Sequence, residues 1–223
     1  MALICITGDV HGDINRFRNH NLWRLKKNEC LIVCGDFGFL WNGGKREQRI
    51  LKRLGRKRYH ILFVDGCHEN YDLLKTYPVG DWNGGKVRVI SGRLMQLMRG
   101  EVYEIDGRKV FAFGGGQTVD VDIRSSADKW WEDELPTQEE IMNGVRNLEM
   151  NDFTVDIVVT HEPPGSLKAF LDFEPDQTSE MHAFFDKIKA ECTYKSWYFG
   201  KLHKNKVIPP KYFGVFNDVI KIK

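Results

Sequence analysis

No apolar run in the 223 residues approaches the ~18 needed to cross a bilayer. The N-terminus also lacks the charged-then-apolar order of a secretory signal. A membrane span and export are therefore not expected, and the cytoplasm is the expected location. Cysteine is scarce and odd in number, five in all, which argues against a disulfide framework. Cys5, Cys30 and Cys34 sit inside the apolar stretches ALICIT and ECLIVC, where free thiols act as small hydrophobes. Cys30 and Cys34 also lack the matching second pair of a metal knuckle. No linker rich in Pro, Gly or Ser divides the chain, so one domain spanning 1–223 is expected. "WNGGK" occurs at 41 and at 82, but Gly-Gly turns account for both without a repeat.

Excess charge of one sign is nearly absent, at +2 net. What there is concentrates in "KREQRILKRLGRKR", residues 45 to 58, a basic helix with Ile50 and Leu54 on its apolar side. Such a face can attract anionic substrates or nucleic acid. The plainer reading, a solvated helix face, is favoured over a nucleic-acid partner.

Short apolar runs alternate with helical patterns. Strands are expected at 2–7, 31–34, 61–64, 86–90, 101–105, 109–113, 155–160, 195–199, 212–216 and 219–222. Helices are expected at 14–26, 45–54, 69–76, 137–149 and 179–191. The first three strands are continuous apolar runs separated by helices, as in parallel strands buried on both faces. Asp106-Gly107 marks an antiparallel hairpin. The fold class is α/β with mixed sheets.

Polar residues follow each buried strand at once. ICIT runs into Gly8-Asp9-Val10-His11-Gly12-Asp13, LIVC into Gly35-Asp36-Phe37-Gly38, and ILFV into Asp65-Gly66-Cys67-His68-Glu69-Asn70. DIVVT ends at His161-Glu162-Pro163-Pro164, and SWYF at Gly200-Lys201-Leu202-His203. Sites in open α/β sheets form outside the carboxyl ends of the strands. One Asp-x-His is commonly a cap or a satisfied turn; five strand ends in register are not. Mixed carboxylate and imidazole ligands suit Mn²⁺, Fe²⁺ or Zn²⁺ better than Ca²⁺. Two carboxylates among several histidines further suggest paired ions and phosphate-ester hydrolysis.

GDVHG, GDFG, GCHE, the isolated TH and GKLH, in that order over residues 1 to about 205, resemble the calcineurin-like metallophosphoesterases. The resemblance implies a four-layer αββα sandwich, two mixed sheets flanked by helices, around a dinuclear centre. By the same resemblance, Asp9, His11, Asp36 and His203 would hold one divalent ion, Mn²⁺ first, with Fe²⁺ or Zn²⁺ as alternatives. Asp36 would bridge to a second ion also held by His161 and by the residues at positions 67 and 201. His68 would match the catalytic histidine that protonates the leaving oxygen.

The chain departs from that pattern twice, in the same half of the centre. Cys67 stands where the family has Asn, and Lys201 where it has His. A thiolate can bind Zn²⁺ or a softer ion. An ammonium has no lone pair, and at ~4 Å from a divalent ion it is repelled by roughly 8 kcal/mol at an effective dielectric of ~20. Lys201 would have to lose its proton, swing away, or exclude the second ion. In the last case its charge would bind phosphate in that ion's place. A phosphomono- or phosphodiesterase with an altered second site is expected; the alternative is a weak or inactive protein that only binds phosphate or a nucleotide. Cys67 as a covalent nucleophile beside His68 is disfavoured, since sequence neighbours rarely form such a pair.

The stretch from 111 to 136 adds Asp120, Arg124, Trp130 and Trp131 after three glycines. Arg124 can grip a phosphate oxygen as a fork, and a tryptophan can stack on a base or sit in the core. Asp120 and Arg124 join Lys201 as candidate substrate-binding residues. His20, His60 and His182 lie outside the strand-end clusters and read as packing or surface residues. Glu69 reads as a complement to the helix that follows it.

Overall fold

Successive side chains in a strand point to opposite faces, and the first three apolar runs use both. The computed structural model of the chain describes residues 3–118, 131–171 and 178–222. Strands β1 (Ile4–Thr7), β2 (Cys30–Cys34) and β3 (His60–Val64) lie parallel, Ile4 opposite Cys30 and Cys30 opposite His60. Ile4, Ile6, Ile32, Leu62 and Val64 face one core, while Cys5, Leu31, Val33, Ile61 and Phe63 face another. Burial on both faces is why these runs carry no polar alternation.

The chain continues through β4 (Val79–Trp82), β5 (Gly85–Ser91), β6 (Leu94–Leu97), β7 (Glu101–Ile105) and β8 (Arg108–Phe113). It ends with β9 (Ile157–Thr160), β10 (Ser196–Phe199), β11 (Lys206–Ile208), β12 (Tyr212–Gly214) and β13 (Ile220–Ile222). Seven strands form one sheet in the order β13-β1-β2-β3-β6-β5-β4, and six form the other in the order β11-β12-β10-β9-β8-β7. Both are mixed. Parallel pairs occupy the centres, and antiparallel strands such as β13 on β1 and β7 on β8 lie at the edges. The β7–β8 turn takes left-handed conformations at Asp106 and Gly107 (φ 54° and 71°), the hairpin expected there.

Between the sheets lies a core of Ile4, Ile6, Ile32 and Val64 from one and Tyr103, Val110, Ile157 and Val159 from the other. Helices α1 (His20–Trp23), α2 (Lys45–Gly55) and α3 (Tyr71–Lys75) bring Leu22, Leu51, Leu54 and Leu74 onto the outer face of the first sheet. Helices α4 (Gln138–Glu149), α5 (Gly165–Lys168) and α6 (Glu180–Glu191) bring Leu148, Leu167, Met181 and Phe185 onto that of the second. The result is the expected four-layer αββα sandwich.

Several local expectations change. The helix expected over 14–26 is a 3₁₀ segment, Ile14–Arg18, followed by the four-residue α1. Asn19 breaks it with ψ 132°, its side chain accepting from the Asn21 amide; Asn prefers such caps to helix interiors. Strands β4, β6 and β11 were not legible. The run LMQL of β6 has no diagnostic period and becomes a strand by pairing with β3 and β5. Helix α2 ends at Gly55, with its lysines and arginines outward. All five cysteines are free and buried. Among the described residues, no helix is long and apolar enough to cross a membrane.

Candidate metal centre

The loops after β1, β2, β3, β9 and β10 meet at one edge. Asp9, His11, Asp36 and His203 each aim one ligand atom into a cluster in which all four lie within 4.8 Å of one another. The Nε2 atoms of His11 and His203 are 2.9 Å apart, and His203 Nε2 is 3.0 Å from Asp9 Oδ2. His11 Nε2 is 3.7 Å from Asp36 Oδ2. The carboxylates are buried and the imidazoles are partly exposed, so the cluster has a closed floor and an open mouth.

Backbone geometry holds these groups against their preferences. His11, Asp36, Lys201 and His203 all sit in the left-handed region, at φ 47°, 43°, 63° and 48°. This is uncommon for residues with a Cβ and costs about 1–2 kcal/mol each. The Asp36 carbonyl secures its turn by accepting from the amides of Val10 and His11, at 3.0 and 2.8 Å. Both Asp9 oxygens accept from the Lys201 amide at 3.1 Å. A Cβ on Gly66 would lie 2.3 Å from Asp36 Oδ1, and one on Gly200 would lie 2.0 Å from Asp9 Oδ1. The strand-end glycines therefore admit the two carboxylates.

Electrostatics inside the cluster are strong. Burial alone would raise the Asp36 carboxyl, but the His161, His68 and His11 rings hold it well below the usual range. His203 is raised by its hydrogen bond to Asp9, whereas desolvation lowers His11. The His161 Nδ1 faces the Cys34 carbonyl at 3.0 Å, an oxygen that can only accept. That nitrogen therefore carries the proton, and Nε2 looks toward Asp36 Oδ1 at 3.5 Å. Two imidazoles and two carboxylates converging on one point are the donor set of a borderline divalent cation. The residues fit such an ion.

A sequence profile describing the calcineurin-like phosphoesterases matches residues 2–207. The chain belongs to that family. No curated protein matches the chain significantly. Family membership carries the general reaction, hydrolysis of phosphate esters with divalent metal, and the Asp–His cluster fits it.

His68, Cys67 and Lys201 lie beside this cluster. His68 packs beside the cluster, with Nδ1 2.7 Å from Asp36 Oδ2 and its amide donating to Asp36 Oδ1 at 2.8 Å. Cys67 is buried, and the Lys201 ammonium lies 3.1 Å from its Sγ. The same ammonium lies 3.0 Å from the Gln117 carbonyl and 3.4 Å from Glu162 Oε1. Burial works against its charge, but Cys67 and Glu162 hold it protonated well above an ordinary lysine. Glu162 is pulled down to about 2 despite burial, by His182, Lys201 and His161.

His182 is thus not the unconnected packing residue expected. Its Nε2 meets Glu162 Oε2 at 2.7 Å, both side chains fully buried. Glu162 sits in the quoted motif after His161 yet carried no assigned role; a carboxylate directly after a wholly buried strand was the available signal. His182 gave none beyond Ser179 three residues before it, because α6 reaches the centre only by packing. Glu69 is also corrected. It turns inward to accept from the amides of Phe37 at 2.6 Å and Gly38 at 3.4 Å, while Asn70 caps α3 through the Leu73 amide. Trp131 packs edge-on against Trp41 and donates to Asp72, a structural position. Asp120, Arg124 and Trp130 lie outside the described residues.

Proposed function

We propose that the protein hydrolyses phosphomonoesters or phosphodiesters using one divalent ion, Mn²⁺ foremost, with the Lys201 ammonium replacing a second. The observation that carries this is the convergence of Asp9, His11, Asp36 and His203 beside a lysine already held charged. Bound among those four side chains, the ion would polarise a phosphoryl oxygen and acidify water. The remaining chemistry belongs to the chain. Lys201 neutralises a non-bridging oxygen. To do so it exchanges its contact with Cys67 Sγ for a phosphate oxygen. Asp36 orients His68 through Nδ1, and Nε2 is then the ring atom that passes a proton to the leaving oxygen. His161 supports Asp36 from below. The five free, buried thiols favour a reducing compartment such as the cytoplasm.

A cavity of about 260 Å³ beside Gly12 and Gly38 has Phe39 in its wall and Arg46 of α2 at its edge, room for a leaving group that includes a flat or anionic part such as a nucleotide. Arg46→Ala is expected to raise KM for an anionic leaving group about threefold with kcat unchanged, since exposed charges contribute modestly. Equal KM values would remove Arg46 from the substrate path.

The defining test is turnover of nitrophenyl phosphate mono- and diesters, with Mn²⁺ and after chelation. Turnover that vanishes on chelation and returns with Mn²⁺ is expected. No turnover of either ester, with phosphate still bound, would select the non-catalytic phosphate-binding alternative.

A further inference from the structure

The ammonium of Lys201 is held by a buried arrangement that reaches from the centre to α6. Glu162 Oε1 lies 3.4 Å from Lys201 Nζ and also accepts from the Gln117 amide at 2.5 Å. Glu162 Oε2 meets His182 Nε2 at 2.7 Å, with Lys168 Nζ 4.0 Å away. The His182 tautomer is settled by its other side. The Ser179 amide, which can only donate, points at Nδ1 at 3.0 Å, in a capping box where His stands in for the usual Glu or Gln. Nδ1 is therefore the acceptor, and Nε2 carries the proton given to Glu162. The helix cap thus sets the ring, the ring fixes the carboxylate, and the carboxylate faces the ammonium.

The geometry points to Glu162 and His182 as positioning residues that keep Lys201 over the phosphate subsite. Neither is one of the four clustered ligand residues. Resting on the reading of Lys201 as the phosphate-binding charge, this assigns the site a specificity for a dianionic phosphoryl group next to a single metal. With Glu162 and the Gln117 carbonyl holding the ammonium, Cys67 is the contact given up to the phosphate.

The experiment measures binding of inorganic phosphate to the Mn²⁺-loaded chain by calorimetry, for the protein as it stands and for Lys201→Met, His182→Leu, His182→Gln, Glu162→Gln and Lys201→Met/His182→Leu. A charge-assisted hydrogen bond is worth enough for Lys201→Met to weaken phosphate ~10–100-fold. His182→Leu is expected to weaken it about tenfold with an unchanged metal content. The double variant should bind no worse than Lys201→Met alone, because His182 acts through the ammonium. His182→Gln, which keeps a donor toward Glu162, should recover most of the loss. Additive losses in the double variant, or full binding in His182→Leu, would overturn the inference while leaving the role of Lys201 intact. Unchanged binding in Lys201→Met would overturn the underlying reading instead. If His182→Leu loses its near-ultraviolet dichroism, folded Glu162→Gln decides by the same comparison: binding as tight as the unaltered chain overturns the inference, and a tenfold loss upholds it.

Discussion

Cys67→Asn with Lys201→His is expected to raise the Mn²⁺ content from one ion per chain to two, and kcat/KM on a nitrophenyl ester by about 10²–10³. The ammonium is held protonated beside Cys67 and Glu162. A divalent ion ~4 Å away would meet roughly 8 kcal/mol of repulsion at an effective dielectric of ~20. Replacing lysine by an imidazole removes that charge and supplies a lone pair, and asparagine supplies a neutral oxygen suited to Mn²⁺. A second Lewis acid contributes several kcal/mol to the transition state, and each ~1.4 kcal/mol is tenfold in rate. The single changes should separate. Cys67→Asn alone leaves the ammonium and one ion, while Lys201→His alone admits a second ion with a shift toward Zn²⁺, since a thiolate remains. Metal analysis and turnover decide together. Two ions in the unaltered chain, or no gain in the double variant, would refute the surrogate role of Lys201.

Arg99→Met is expected to destabilise the fold by about 3–5 kcal/mol without touching the centre, since a single charge is left buried. The Arg99 guanidinium meets Asp65 Oδ2 through Nε at 2.9 Å and Nη2 at 2.6 Å, both side chains nearly inaccessible. It also donates to the carbonyls of Asp133 and Leu135 and to Glu140 at the start of α4. One side chain thus ties the end of β3, two residues before Cys67, to the segment leading into α4. Methionine fills similar volume but leaves Asp65, among the described residues, with Gln96 and Tyr71 as side-chain partners. At roughly 2–4 °C per kcal/mol for a chain of this size, Tm should fall by about 10 °C.

The pH dependence of this effect has a definite sign. Burial raises the Asp65 carboxyl, but Arg99 more than offsets it and the native value lies below the unfolded one. The pair's stabilisation is therefore full above the unfolded carboxylate pKa of about 4 and is lost as pH falls toward the native value. In Arg99→Met, burial dominates and Asp65 destabilises as pH rises above about 4. The gap between the two proteins should be widest near neutrality and shrink below about pH 4. A gap independent of pH, read by denaturant unfolding, would mean that Arg99 acts through its carbonyl contacts and not through Asp65.

Much of this protein was legible before any contact was known, for identifiable reasons. Ile4–Thr7, Cys30–Cys34 and His60–Val64 announce parallel strands because burial on both faces leaves them apolar apart from their ends at Thr7 and His60. The polar group directly after each strand marks the rim because parallel strands all end on one side. Elements whose identity comes from a partner were illegible. Strand β6 takes its form from β3 and β5, and the helix expected over 14–26 yields to the Asn19 cap.

The centre divides along the same line. That Asp and His side chains gather at one rim could be read from the strand ends, since short-range chain geometry dictates where a residue after a strand must lie; Asp9, His11, Asp36 and His203 as the ligand set came from the family resemblance. The unusual residues at 67 and 201 could likewise be seen, and the conflict between an ammonium and a second ion follows from charge alone. Which way that conflict is resolved was open, because three outcomes satisfy the same electrostatics. What only the tertiary structure supplies is the surroundings of the ammonium, Cys67 at 3.1 Å and Glu162 at 3.4 Å. Pairing β9 with β10 sets Glu162 beside Lys201, and packing α6 against the second sheet brings His182 to Glu162, over separations of 39 and 20 positions that no local pattern encodes. A buried lysine keeps its charge when a fixed carboxylate lies within reach, and where that carboxylate lies is a property of how the layers pack.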